Sequence, residues 1–350
     1  MKKVLKVIGI ILVIITVISI IAYIVYHSFV NKKLDKINYQ EIDKTKLDIS
    51  EIIKSDLNNY RNIALFGLDS RIQEEDESYG LGNRSDCIMI ASVNQKTNEV
   101  RLFSVYRDTY VKVTGHGLDK INHAYSYGGP ELAIATLNRN FDLNITEYVT
   151  VNFNAVANLV DQVGGIDIEL TKDELKYINS YIKGTSKNTG KEASLITKSG
   201  SNHLNGVQAV AYGRIRYTEG GDYKRAERMR TVLAKTFAKV KDKNPAELNK
   251  IADELLPQVY TNISKDEIYK TIPKVANFNI KQSDGWPYTV KGITLNKVWY
   301  GVPCTLESNV LELHKKMFPD IDYTVSDTVK DISKQIEEVT GYNEKDGQKK

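Results

Sequence analysis

The spacing of apolar and polar positions divides this chain before composition is considered. Val7 to Tyr26 is an uncharged run of 20 residues, mostly Ile and Val. As a helix it is about 30 Å long, the hydrocarbon thickness of a bilayer. It is longer than the apolar region of a signal peptide and no small-residue cleavage site follows, so a retained transmembrane anchor is expected. Residues 1–6 would be a short cytoplasmic tail. Lysines flank both ends of the run, and the free N-terminus tips the orientation toward N-terminus in, remainder outside. Residues 27–59 are polar and lysine-rich and read as a stalk. From Tyr60 the pattern becomes that of a folded domain running to about residue 320. Ile63 to Asp69 reads as a buried strand ending in an acid, followed by a polar loop, Ser70 to Gly82. Cys87 to Asn94 and Glu99 to Val105 read as two strands joined by the tight link Gln95-Lys96-Thr97-Asn98. Tyr148 to Phe153 alternates as a strand, Asn154 to Val163 has a helical apolar face, and Ile166 to Leu170 is a short strand after Gly164-Gly165. Asp222 reads as the N-cap of a helix running to about Lys241. Residues 244–318 mix helix and strand. Apolar residues at 325, 329, 332, 336 and 339 predict a last amphipathic helix, and residues 341–350 read as disordered.

The chain has 350 residues, 41% hydrophobic and 26% charged, which excludes a disordered, collagen-like or low-complexity protein. Two cysteines exclude a disulfide framework and a Cys-rich zinc site. A net charge of +4 with mixed signs does not argue for nucleic acid as a partner. The distribution of cations is more informative. All 11 arginines lie between Arg61 and Arg230, with 10 lysines; the rest of the chain has 27 lysines and no arginine. Guanidinium used only in this window suits forked recognition of carboxylate or phosphate.

Geometry brings some of these charges together. If Asn94 pairs with Glu99 across the tight link, paired residue numbers sum to 193. Asp86 then faces Arg107, with Arg84 and Asp108 alongside. If the first strand is antiparallel to the second, Asp69 ends at the same edge. A second set follows downstream. Arg214 and Arg216, two apart, would face one side of an extended segment. Gly220-Gly221-Asp222 then leads into a helix carrying Arg225, Arg228 and Arg230. A helix N-terminus with guanidinium groups suits a pyrophosphate, and neighbouring carboxylates suit Mg²⁺. The same residues would also serve as surface ion pairs and a solvated basic helix face, and these readings stay open on the residues alone.

The chain resembles the LytR–CpsA–Psr family of cell-wall assembly enzymes. The resemblance rests on seven stretches in the family's order: Asn62 to Arg71, Arg84-Ser85-Asp86, Ser104 to Thr109, Lys120 to Gly129, Val163 to Ile168, Leu204 to Arg216 and Gly220 to Arg230. It covers roughly residues 60–318. It implies an α/β fold, a mixed central sheet flanked by helices, with an apolar tunnel for a lipid tail. It implies transfer of a glycopolymer, such as teichoic acid or capsular polysaccharide, from a polyprenyl pyrophosphate carrier to peptidoglycan through a phosphodiester. By the same resemblance Asp69 and Asp86 would hold Mg²⁺, and Arg84, Arg107, Arg214, Arg216 and Arg225 would contact the pyrophosphate. Asp108, Lys120 and Asp222 would be polar residues of that site. The localisation implied is the cell membrane, with the catalytic domain outside. Met229 stands where the family usually has a phosphate-contacting glutamine, Cys87 where threonine is usual, and Tyr106 where proline is common.

Phosphoryl transfer needs in-line placement and charge compensation more than covalent help. Arg107 would stabilise developing charge, and Asp108 or Asp222 would take the proton of the attacking sugar hydroxyl; the sequence leaves that choice open. His123 reads as a packed histidine. No Walker-type glycine loop occurs, since Gly128-Gly129 is followed by Pro130. Leu132 to Phe141 and Val156 to Val163 are candidate tunnel linings, though ordinary core is the default for each. Two other functions use the same residues: hydrolysis of polyprenyl pyrophosphates, and non-catalytic binding of a lipid-linked glycan.

Overall fold

The computed structural model describes residues 31–68 and 83–349. Asp69, the Ser70–Gly82 loop and the Val7–Tyr26 run lie outside the described residues. Among those described, no helix is long and apolar enough to cross a membrane.

Seven strands form the main sheet: β1 (Asn38–Tyr39), β2 (Tyr60–Leu68), β3 (Ser85–Asn94), β4 (Glu99–Val105), β5 (Glu147–Asn152), β6 (Tyr260–Thr261) and β7 (Asn279–Trp286). Their spatial order is β1-β6-β5-β2-β3-β4-β7. β2, β3 and β4 are an antiparallel meander, whereas β5 lies parallel to β2 and β7 parallel to β4. The sheet is therefore mixed, as expected. The β3–β4 register also holds: Ile88 pairs with Val105 and Val93 with Val100.

Side-chain alternation assigns the two faces of the sheet different tasks. Ala64, Phe66, Leu68, Ile88, Ile90 and Phe103 belong to one large core. It is closed by helices α1 (His123–Phe141), α6 (Leu306–Met317) and α7 (Asp327–Thr340). The intervening residues Leu65, Met89, Val149 and Val151 face an apolar cavity on the other side. That side is covered by α2 (Phe153–Gln162), α4 (Gly206–Arg214) and α5 (Gly221–Lys241). A second core joins these helices to α3 (Lys172–Thr189) and to the hairpin of Ile166–Leu170 with Gly200–Leu204.

Two terminal segments differ from expectation. Instead of forming a free stalk, residues 38–57 pack on the domain: β1 pairs with β6, and Ile42, Leu47, Ile53 and Leu57 are buried in the large core. Their apolar positions are few among lysines, and the partial helical pattern there did not reveal what they pack against. Residues 342–349 also take up defined structure. Glu344–Asp346 forms a turn, and Gln348–Lys349 pairs antiparallel with β8 (Thr289–Leu295). Backbone pairing with an edge strand needs no apolar side chain, so a polar composition hid it. The last amphipathic helix forms as predicted, with Val329, Ile332 and Ile336 buried, while Val339 remains exposed.

Candidate active site

Three backbone features converge at the end of the β2–β4 meander. The first is the turn that carries Arg107 and Asp108 just past β4. Thr109 donates to the Tyr106 carbonyl through its N–H (3.0 Å) and its Oγ1 (2.6 Å). Asn122 N–H donates to the Arg107 carbonyl at 3.2 Å, and Gly301 N–H to the Asp108 carbonyl at 3.0 Å. The turn is thus pinned on both sides. The second feature is a bulge in β3. Gly67 pairs with Cys87 but Leu68 pairs with Ser85, so Asp86 has no partner on β2. Bulges redirect side chains, and this one presents the Asp86 carboxylate to the turn.

The third feature is the connection from α4 to α5. Arg214 ends α4 and is not part of an extended segment. It nevertheless lines one cleft with Arg216 and Arg225, the Ile215 between them being buried. Gly220 caps α5 with φ of 86° and Gly221 follows at 49°, the left-handed region that favours glycine. Asp222 is therefore not the N-cap. It is the second residue of the helix, and its carboxylate faces the arginines.

These features bring together Asp86, Arg107, Asp108, Lys120, Arg216, Asp222 and Arg225. Arg107 Nη1 donates to Asp86 Oδ1 at 2.6 Å, and its Nε lies 3.3 Å from Asp108 and 3.8 Å from Asp222. Lys120 Nζ meets Asp108 at 2.7 Å. Asp86 Oδ2 lies 3.3 Å from Arg225 and 3.6 Å from Arg216, and Asp222 is 3.4 Å from both. Four cations thus enclose three carboxylates. Burial tends to raise the Asp86 pKa, but the charges of Arg225 and Arg107 outweigh it and hold the carboxyl below its usual value. Arg216 is pushed down by burial and by the like charges of Arg225 and Arg107. Among the described residues, no acceptor meets the buried Nε–H of Arg107 or of Arg225. Unmet cationic donors crowded in a half-buried pocket favour a further anion.

Among the described residues, not every predicted residue contacts this cage. Arg84 is exposed and forms no ion pair among the described residues. Arg214 Nη1 lies 3.2 Å from Thr185 Oγ1, and its guanidinium lies over Phe153. Arg228 turns away to Glu174 (2.7 Å), the Ile215 carbonyl (3.0 Å) and Thr218 (2.6 Å). Arg230 reaches Ser283. His123 pairs with Asp119 at 2.9 Å, outside the cage. The metal pair expected from Asp69 and Asp86 involves a residue outside the described set. Among described residues no group of three or more acidic, His or Cys side chains is arranged to hold a metal ion by itself. Asp86 offers one carboxylate, and Mg²⁺ takes one or two carboxylates and completes its shell with phosphate oxygens and water. This donor set therefore fits Mg²⁺ alongside a bound phosphate.

The cage adjoins the apolar cavity, about 260 Å³ in volume. Cys87 and Met229 line both. Burial pushes the Cys87 thiol up to about 12, so it stays protonated and behaves as part of an apolar wall. Met229, where a glutamine was expected on phosphate, thus stands at the boundary of the two compartments. Val156 and Leu159 line the cavity, as one of the two candidate stretches required; Leu132–Phe141 instead belongs to the opposite core. The aromatic residues around the cage were missed. Tyr223 packs edge-on against Tyr106 at 4.4 Å, and both share a cleft with Trp299. The available signal was the position of Tyr223 beside the Gly220-Gly221-Asp222 turn.

The sequence profile of the LytR_cpsA_psr family matches residues 23–316. A curated relative from Enterococcus faecalis, the polyisoprenyl-teichoic acid–peptidoglycan teichoic acid transferase TagU, is 32% identical over 253 residues, 71% of this chain and 73% of its own. A solved protein from Streptococcus agalactiae shares the fold with a TM-score of 0.67 at 24% identity, covering 83% of this chain and 97% of that one. YwtF (TagT) of Bacillus subtilis, solved with bound octaprenyl pyrophosphate lipid, has a TM-score of 0.54 at 22% identity, covering 81% and 94%. With five of its seven motifs contributing to one cage and its profile matched over most of its length, the chain belongs to the LytR–CpsA–Psr family.

Proposed function

We propose that this protein is a phosphotransferase that moves a glycopolymer from a polyprenyl pyrophosphate carrier to peptidoglycan, leaving a phosphodiester link. One observation carries the reading: a cage of arginines with unmet buried donors shares a wall with an apolar cavity, so one continuous site suits a pyrophosphate joined to a long hydrocarbon. The name of the E. faecalis relative, with teichoic acid as donor and peptidoglycan as acceptor, supports it. So does the octaprenyl pyrophosphate held by YwtF.

In the proposed reaction a sugar hydroxyl oxygen bonds to the phosphorus that carries the glycopolymer. The bond from that phosphorus to the bridging oxygen breaks, and polyprenyl phosphate leaves with the electron pair. Arg107, Arg216 and Arg225 compensate charge on the pyrophosphate oxygens. We assign the hydroxyl proton to Asp222. Asp108 is held at one oxygen by Lys120 and lies by Arg107 at the other, whereas Asp222 meets its cations at 3.4 Å or more. Asp86, with phosphate oxygens, would hold Mg²⁺, which would add charge neutralisation to the pyrophosphate. Peptidoglycan as acceptor supports a site outside the cytoplasmic membrane, with residues 7–26 as the anchor.

The test is incubation of the full chain in detergent with a polyprenyl-pyrophosphate-linked teichoic acid precursor and a peptidoglycan oligomer, followed by mass analysis. A ligated product is expected, with loss on chelation and recovery on adding Mg²⁺. Free phosphorylated glycan would make the protein a hydrolase. An unconsumed donor under all metal conditions would leave a binding protein. Activity unaffected by chelation would remove the metal.

A further inference from the structure

Besides the apolar cavity, two larger clefts among the described residues border the cage, and they differ in chemistry. One, about 530 Å³, is bordered by Arg214, Arg216 and Arg225 with Tyr177, Tyr181 and Tyr217, and among the described residues no carboxylate is on its lining. The other, about 390 Å³, has Asp108 and Asp222 on its lining with Arg107, and its walls include Tyr223, Pro287 and Trp299. The first suits an anionic chain. The second places both carboxylates beside aromatic surface.

The second cleft is built, and it is tied to the catalytic turn. β8 and β9 (Val298–Pro303) form a hairpin whose turn residues Asn296 and Lys297 both have positive φ, 49° and 67°, as a tight two-residue hairpin turn requires. Gly301 of β9 donates its N–H to the Asp108 carbonyl, so the hairpin is tied to the backbone that carries Asp108. Gly292 leaves room beneath the indole: a Cβ there would come within 2.9 Å of Trp299 Nε1, whereas one on Gly301 would make ordinary contact, 3.5 Å from the indole and 3.8 Å from the Tyr223 hydroxyl. Trp299 is 44% exposed, whereas Trp286, the other tryptophan, is fully buried.

We propose that this cleft is the acceptor subsite, in which an amino-sugar ring of the peptidoglycan glycan strand packs its apolar face on Trp299 and presents a hydroxyl to Asp222. The proposal rests on the transferase reading and assigns the second substrate its place. An aromatic wall with a few polar groups at one end is the usual make-up of a site that orients a small ring. In-line attack also requires the nucleophile to enter opposite the leaving group. The leaving polyprenyl phosphate belongs with the apolar cavity, bounded by Cys87 and Met229, and neither of these lines the Trp299 cleft.

Two measurements on the full chain test this. With lipid-linked donor saturating, Trp299→Ala should raise KM for a peptidoglycan oligomer by about tenfold, leave KM for the donor within about twofold, and be largely rescued by Trp299→Phe. An unchanged acceptor KM overturns the assignment, and so does a donor KM that rises in parallel, which would make the cleft a donor subsite. Because Trp286 is buried, intrinsic fluorescence gives a readout at Trp299 that does not require catalysis. A peptide-free glycan oligomer of peptidoglycan should change it saturably without donor present. If the oligomer changes the fluorescence but no ligated product ever forms, the transferase reading fails and the glycan cleft stands. If product forms while the fluorescence and the Trp299→Ala acceptor KM are both unmoved, the cleft assignment fails and the function stands.

Discussion

Arg107 commits one end of its guanidinium to Asp86 and leaves its buried Nε–H without an acceptor among the described residues. Burial works against its charge, but Asp86, Asp108 and Asp222 together raise its pKa further, so it is a permanent cation whose Nε–H makes no hydrogen bond among the described residues. Lysine in its place could still pair with Asp86 but could not supply the second, fixed donor. Removing one donor aimed at developing charge typically costs about 2.7–4 kcal/mol, roughly a hundred- to thousandfold in rate. We therefore expect Arg107→Lys to lose transfer activity on that scale at near-wild-type stability. Arg101→Lys should lose little, since Arg101 lies on β4 and pairs with Glu99 away from the cage. Equal activity of the two variants on one lipid-pyrophosphate donor would reduce Arg107 to a structural partner of Asp86. Asp86→Ala is a poorer probe. It would leave Arg225, whose side chain is 4% exposed, without its sheet-edge carboxylate, so lost folding would mix with lost chemistry.

At the scale of elements, α5 does two jobs with residues one turn apart. Arg225 reaches the sheet edge, while Arg228 crosses to Glu174 on α3 and ties down the α4–α5 connection through Ile215 and Thr218. The Arg228–Glu174 pair is buried on both sides, at 5% and 8% side-chain exposure. Glu174 is also engaged in capping α3, accepting the Thr171 N–H at 2.9 Å. Removing one member of a buried pair strands the other charge and costs about 3–5 kcal/mol. We expect Arg228→Leu to lose stability on that scale in urea unfolding, and Glu174→Gln added to it to recover part of the loss by neutralising the stranded carboxylate. Additive losses would show that the two residues are not coupled.

At the scale of the whole molecule, the large core contains a titratable group that links its stability to pH. His314 on α6 donates from Nε2 to the Phe141 carbonyl at 2.9 Å and stacks on Tyr323, while its Nδ1 has no partner among the described residues. A second proton would sit on that unpartnered nitrogen. Burial accordingly lowers the pKa from 6.5 to about 4. Between those values the unfolded chain binds a proton that the folded chain does not. The stability contribution is therefore complete above pH 6.5 and is lost as pH falls toward 4, by about 3 kcal/mol in all. Thermal unfolding from pH 7 to 4 should show this decline. His314→Gln, which keeps a donor near the Nε2 position without titrating, should flatten it. An unchanged slope would assign the acid sensitivity to other groups.

What the sequence determined by itself was local. The β4 strand and the Ile166–Leu170 strand have the predicted bounds, because apolar runs closed by turn residues need no distant information. The β3–β4 register followed from one tight link, and with it the meeting of Asp86 and Arg107. Helix α7 showed its buried face through its period. The tertiary structure decided which like residues part company. Ile88 and Met89 read alike, yet Met89 lines the cavity and Ile88 the core, because adjacent strand residues face opposite layers. Arg225 and Arg228 also read alike, and only Asp86 and Glu174, more than fifty residues away from one or the other, separate a cage residue from a structural one. The aim of Asp86 depends on a one-residue bulge, and the Trp299 cleft on a hairpin pinned to a turn nearly two hundred residues earlier. Such pairings depend on which surfaces meet when distant segments pack, and no local period encodes them.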